Sequence, residues 1–465
     1  MLNLSSSECD PYRTFDRDSK KAHCDARYLG RLENHRFGIW ERQVHRRAFL
    51  AAGGRTAVAT LAAATGGSNL LFARDRTPSS DALEQRIADV IAAFDAQGNH
   101  RTGTPVDNAS AEWLARQVQQ LGAEPELEPF TLNRVDPQSC YLRIADRRID
   151  GVPLFDATFT DGEGVRGRLG PLGSDAEIGL AETVPVTLGD PLIGQAALAE
   201  VRRSRHKAVV LLTRGSQPGL YLLNAGSFSK PIGPPTVQVS SIESEWLKEQ
   251  AQQRAEATLV AHVSRTAAQA FNVAVKIAGS NPALAPLVLM APRSGWWQCA
   301  SEQGSRLACW LEAIRILATG RPARDAFFVA LSGHELGFLG IDAYLKRRGE
   351  LVKRAHMWIF FGLDIGAPGQ PNLIHASDDE LEQWAVRAME KEGLAVNAKE
   401  RHGSAARGEA RAVQQGGGRF VTLVCGSDLY HNVTDRWPEA LDVATLARYA
   451  SAFANGALEV AKQQS

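Results

Sequence analysis

The stretch Phe328-Val329-Ala330-Leu331-Ser332-Gly333-His334-Glu335-Leu336-Gly337-Phe338-Leu339-Gly340 is an apolar run that ends in a short polar turn and passes into a helical pattern from Phe338. A short apolar run without alternation is what a strand buried on both faces needs, and a helix directly after it makes half of a crossover unit. Similar apolar runs occur at 271–277, 287–291, 327–331, 356–363 and 420–425, with helical patterns beginning at Arg306, Phe338, Asp379 and Ala440. Upstream, Leu83, Ile87, Val90, Ile91 and Phe94 keep helical spacing, and a second helical pattern runs from Ala109 to Leu121 before Gly122. Between about 131 and 267 the character changes to short β-like runs, notably 208–213 and 235–240, separated by turn residues. The expected fold is α/β. It is a mostly parallel, mixed sheet with helices on both faces, built from 74–130 and 268–465, with an inserted β-rich module at 131–267.

Composition narrows the function. The 465 residues carry 52 Lys+Arg against 52 Asp+Glu, so the basic excess of a nucleic-acid protein is missing and no nucleic-acid partner is expected. No apolar run reaches the roughly 18 residues a membrane helix requires, so stable membrane insertion is not expected either. At the other end of the argument, His45-Arg46-Arg47-Ala48-Phe49-Leu50 followed by an Ala- and Gly-rich stretch to Ala73 reads as a twin-arginine export signal over 44–73. It implies the twin-arginine export machinery as a partner and a periplasmic or secreted product. The polar prefix 1–43 is expected to be absent from the native product, with Val44 as the alternative start. Beyond the leader, Cys140, Cys299, Cys309 and Cys425 form no CxxC pair, which argues against structural zinc held by cysteine and leaves disulfide pairing open.

In an open α/β sheet, functional residues gather beyond the carboxyl ends of the strands. Four such ends deliver Glu302, the pair His334-Glu335, Asp364 and His431 to one crevice. Carboxylates and imidazoles together suit a divalent, zinc-like ion, and clustered carboxylates without a cation repel one another. Other chemistries find no support. His334-Glu335 is not a zincin helix because position 338 is Phe, and neither a nucleophile elbow nor a phosphate loop occurs. Trp296-Trp297 reads either as packing or as a substrate wall.

The ordered succession of motifs resembles the dizinc aminopeptidase family, zinc-dependent exopeptidases that often carry an inserted protease-associated domain. The likeness begins at Gly98-Asn-His-Arg-Thr-Gly-Thr-Pro105 and the helix after it, passes through the insert-like 185–265 with Gly233-Pro-Pro-Thr-Val-Gln-Val-Ser-Ser241, and ends at Tyr430-His-Asn-Val-Thr-Asp435. The resemblance puts Glu302 where the family has an aspartate bridging two zincs, Glu335 and His431 on ligand positions of one zinc, and Asp364 on a ligand position of the other. Two positions depart from it. Pro292-Arg293-Ser294 stands in place of the family's His-x-Asp, and His334 replaces the general-base glutamate. The implied site holds one zinc at most, or none, with Glu302, Glu335 and His431 as its ligands and His334 as substitute base or as a further ligand. The resemblance therefore implies an exported, metallopeptidase-like hydrolase of peptides or related amides. A catalytically inactive peptide-binding pseudo-peptidase remains the alternative, and a glutaminyl-cyclase-like transferase a weaker third, since it also expects the lost glutamate.

Overall fold

The computed structural model describes residues 78–184 and 191–464. The expected prefix and export signal lie outside the described residues. Among those described, no helix is long and apolar enough to cross a membrane.

The strands are β1 (Pro125–Ile144), β2 (Arg147–Asp150), β3 (Val152–Pro153), β4 (Val165–Pro171), β5 (Ile178–Thr183), β6 (Ala208–Thr213), β7 (Thr236–Ser240), β8 (Glu256–Ile277), β9 (Leu287–Pro292), β10 (Ala326–Leu331), β11 (Met357–Phe361), β12 (Asn372–Ala376), β13 (Ala398–Lys399) and β14 (Phe420–Cys425). They join in the order β13-β12-β14-β11-β9-β10-β8-β4-β5-β6-β7-β3, with β1 added beside β8 and β2 beside β1. The helices are α1 (Pro78–Asp95), α2 (Pro105–Gln120), α3 (Pro191–Arg203), α4 (Ser244–Gln252), α5 (Ser305–Gly320), α6 (Leu339–Arg348), α7 (Leu351–Arg354), α8 (Asp379–Lys391), α9 (Ala410–Gln415) and α10 (Val443–Lys462).

The centre of the sheet is the parallel set β10-β9-β11-β14, flanked by antiparallel β8 and β12. Its apolar runs lack alternation because both faces are buried. Leu287, Leu289, Phe328, Ile359 and Leu423 point into a core with α1, α2, α5, α8 and α10. Their neighbours Val288, Met290, Val329, Trp358 and Phe420 face a second core with α6, α7 and α9. The expected α/β class, a mixed sheet with helices on both faces, is what the chain forms.

Several boundaries differ from the sequence reading. Helix α2 starts at Pro105, four residues before Ala109, because Thr104 caps it by accepting the Asp107 N–H and Pro105 needs no N–H partner there. Helix α10 starts at Val443, where Asp442 accepts the Ala444 and Thr445 N–H groups. The divisions drawn at 131 and 267 fall inside β1 and β8, which pair from Pro125↔Val275 to Ile144↔Ala257. These two strands carry the chain into a second group of strands, β4-β5-β6-β7, with α3, α4 and a core of its own around Val210, Val237 and Leu259. All four described cysteines are buried free thiols.

Candidate metal centre

Because β10, β9, β11 and β14 run parallel, their carboxyl ends open on one edge, and each delivers a site residue through a sharp turn. After β9 the chain passes Cys299 in the left-handed region (φ 54) and enters a short π-helix at 300–304 that carries Glu302. After β10 come His334 and Glu335, then Phe338 (φ 67) at the start of α6. Asp364 follows β11 and His431 follows β14, both with positive φ (57 and 63). A non-glycine residue held there costs about 1–3 kcal/mol, so four such residues around one edge mark where the fold has been bent to aim side chains.

Two imidazoles face one carboxylate. His431 places Nδ1 2.6 Å from the Leu222 carbonyl, and a carbonyl only accepts, so Nδ1 carries the proton. Its Nε2 has no hydrogen-bond partner and stands 3.5 Å from Glu302 Oε1. His334 places Nδ1 2.8 Å from Glu409 Oε1, and its Nε2, also without a hydrogen-bond partner, stands 3.8 Å from the same Glu302 oxygen. Glu302 Oε1 accepts from Gln303 Nε2 at 3.0 Å, while Oε2 has no partner. The three residues are at most 4% exposed.

The other two expected ligands are held differently. Glu335 is engaged on both oxygens: Oε1 accepts the Thr102 N–H and Oε2 the Ser294 hydroxyl, each at 2.7 Å. Asp364 accepts the Ser301 hydroxyl at 2.8 Å and leaves Oδ2 without a partner. Ser294, where the resemblance implies an aspartate, donates to the Glu335 carboxylate. Neighbouring Arg293 turns away, fully buried, onto Asp107 of α2 at 2.8 Å. Trp296 packs on Phe155 with ring centroids 4.7 Å apart, and Trp297 donates to the His431 carbonyl at 3.0 Å.

Sequence reasoning gave no role to Asp435, Leu222 or Glu409. Asp435 accepts the Ser301 and Glu302 N–H groups at 2.7 and 3.0 Å and so holds the π-helix that aims Glu302. Leu222 comes from the second strand group, where nothing in its residue type signals a role. Glu409 lies in a Gly- and Arg-rich stretch with no apolar period, which reads as loop.

The electrostatics separate these carboxyls. Burial alone would push Glu302 up, yet His431, His334 and Arg306 outweigh it and hold Glu302 down at about 2. Burial pushes Asp435 up to about 7, with Glu302 adding to the rise and the two N–H bonds opposing it. Asp364 is driven well above the usual range by burial, then by Asp435 and Glu302. Burial also raises Glu335 against its hydrogen bonds.

Among the described residues, no group of three or more His, Cys, Asp or Glu side chains is placed to hold a metal ion. Two imidazoles and a carboxylate are nevertheless donor types that suit zinc. Both Nε2 atoms, neither with a hydrogen-bond partner, face one Glu302 oxygen in a buried cluster. Tetrahedral zinc with N and O ligands at about 2.0–2.2 Å has ligand–ligand edges of roughly 3.4 Å, close to the spacing of both imidazoles from Glu302.

Comparison with protein families matches residues 272–457 to Peptidase family M28. No curated protein matches the sequence. Among solved structures, the fold is similar to that of BSAP, a zinc aminopeptidase from Bacillus subtilis, at 18% identity and a TM-score of 0.66 over 83% of this chain and 96% of that one. It is similar also to a peptidase M28 precursor from Shewanella amazonensis, at 16% and 0.66 over 83% and 97%. An aminopeptidase from Aneurinibacillus sp. strain AM-1 aligns at 15% and 0.62 over 82% and 94%.

Proposed function

We propose, for a chain whose residues 272–457 carry a Peptidase family M28 domain on the fold of the zinc aminopeptidases, that it is an exported hydrolase of peptides or related amides. Its site would hold one metal ion through Glu302, His334 and His431. The observation that carries the reading is the pair of imidazoles, each engaged at Nδ1, that turn Nε2 atoms without hydrogen-bond partners toward one carboxylate oxygen. Export is supported by the Arg46-Arg47-Ala48-Phe49-Leu50 segment and by the apolar stretch after it.

Zinc bound there would supply a Lewis acid for an amide carbonyl and a lowered pKa for water. The chain's own contributions follow from its bonds. Leu222 and Glu409 set the tautomers of His431 and His334, and Asp435 holds the turn that presents Glu302. Asp364 leaves Oδ2 free, and burial, then the Asp435 and Glu302 charges, raise its pKa well above the usual carboxylate range. With His334 among the ligands, no carboxylate base stands beside the site at that position. Turnover about 100- to 10,000-fold below that of an enzyme with a positioned base is expected.

A peptide-binding protein without catalysis is the second reading. It is favoured by the hydrogen bonds that tie the 222–225 segment to the site residues, where Ala225 donates to the Glu335 carbonyl at 2.8 Å and Leu222 engages His431. Aminoacyl and peptide amides offered to zinc-loaded protein test the choice. Hydrolysis that disappears with a chelator and in Glu302→Gln supports the enzyme. Peptide binding without turnover in zinc-loaded protein supports the second reading.

A further inference from the structure

Arg293, Arg306 and Arg324 are each at most 1% exposed. A guanidinium stays charged and carries five N–H donors, so burying one is costly unless its charge and donors are answered. Two of the three are answered. Arg293 pairs with Asp107 at 2.8 Å and donates to the Phe271 carbonyl, and Arg324 donates to the Ala285 carbonyl at 2.8 Å. Arg306 differs. Its Nε and Nη1 have no hydrogen-bond partner, and among the described residues it forms no ion pair. The Phe360 ring centroid lies 6.0 Å from its guanidinium carbon, at the outer limit of a cation–π contact.

The placement of this cation is informative. Arg306 is the second residue of α5, and Glu302 sits in the π-helix that runs into α5. Burial raises the pKa of Asp364 and of Tyr430, and the Arg306 charge opposes the rise in both. In Glu302, where burial also pushes upward, Arg306 adds to the fall that His431 and His334 lead. The guanidinium therefore lies among the side chains of the candidate site without pairing with their carboxyls. Glu302 already faces two imidazoles, so it is not the dedicated counter-ion of Arg306. A buried cation with open donors adds little to stability, whereas a guanidinium matches the oxygens of a planar carboxylate in geometry and charge.

We propose that Arg306 is a specificity-determining residue of the site and that the ligand it selects is a peptide bearing a carboxylate. The inference rests on the peptide reading above. Its test is calorimetric binding of three dipeptides, Leu-Leu, Leu-Leu amide and Leu-Glu amide, to wild type, Arg306→Met and Arg306→Lys, with a melting temperature for each protein. Wild type should bind a carboxylate-bearing dipeptide about 10- to 100-fold more tightly than Leu-Leu amide, as a hydrogen bond to a charged group implies. A preference for Leu-Leu assigns the carboxylate to the chain end, and one for Leu-Glu amide assigns it to a side chain. Arg306→Met should abolish the preference and leave binding of Leu-Leu amide unchanged. Arg306→Lys keeps the charge without the planar fork and should retain part of the preference. Because Arg306→Met removes a buried charge without stranding a partner, it should melt at or above the wild-type temperature. Melting of Arg306→Met well below wild type marks a structural cation and overturns the proposal. Equal binding of all three dipeptides by wild type also overturns it and leaves the peptide reading standing. Binding of none overturns both.

Discussion

His431 and Leu222, 209 residues apart, exchange two hydrogen bonds: the imidazole Nδ1 to the Leu222 carbonyl at 2.6 Å, and the Leu222 N–H to the His431 carbonyl at 3.3 Å. The second strand group is therefore part of the site. It selects the tautomer of His431, and an adjoining bridge between Tyr221 and Asn432 extends the contact.

The buried pair Arg293–Asp107 has both side chains fully buried, and Asp107 also accepts the Gly103 N–H and the Ser332 hydroxyl. Asp107→Ala leaves a guanidinium without its charge partner in the core. Chemical denaturation should show a loss of about 3–5 kcal/mol. A loss under about 1 kcal/mol would mean that Arg293 finds other compensation.

Ser294 donates to Glu335 and accepts N–H bonds from Gly333 at 2.8 Å and His334 at 3.2 Å. Ser294→Ala removes one of the two donors that hold a buried carboxylate. It should cost about 1–3 kcal/mol by urea denaturation, with zinc affinity changed far less than by His431→Ala. Zinc affinity falling as steeply as in His431→Ala would instead place Glu335 among the ligands.

His100 stacks on Phe94 with ring centroids 3.7 Å apart, and its Nε2 faces the Phe94 carbonyl at 3.0 Å. Burial lowers its pKa to about 3, with Arg293 adding to the fall and the Phe94 carbonyl and Asp95 opposing it. Between an unfolded value of about 6.5 and about 3, the unfolded chain holds a proton that the folded one lacks. Stability must then rise with pH across that window and fall on acidification, by up to about 1.4 kcal/mol per pH unit from this group. The slope of unfolding free energy against pH from 6 to 4 should flatten by about one proton in His100→Gln. An unchanged slope would show that another group takes up the proton.

Much of the fold was legible because strands buried on both faces leave unbroken apolar runs. The run at 420–425 is β14 to the residue, and the 287–291 run misses only Pro292 of β9. β1 and β8 were not legible as wholes, since exposed and buried positions mix along them once they leave the shared core. β12, between β13 and β14, was missed for a different reason, being only five residues and including the polar Asn372 and His375. For the site, the strand-end rule brought Glu302, His334 and His431 together, but residue type alone did not separate Glu335, which Ser294 and Thr102 engage. The contact between His334 and Glu409 could not be found that way, because it spans 75 residues.

The central claim is a one-ion centre at Glu302, His334 and His431. Metal analysis of protein expressed without residues 1–73 in zinc-supplemented medium, wild type beside His431→Ala, tests it most directly. About one zinc per chain in wild type and a clear loss in His431→Ala is the predicted result. No zinc in wild type, or two ions per chain, would contradict it.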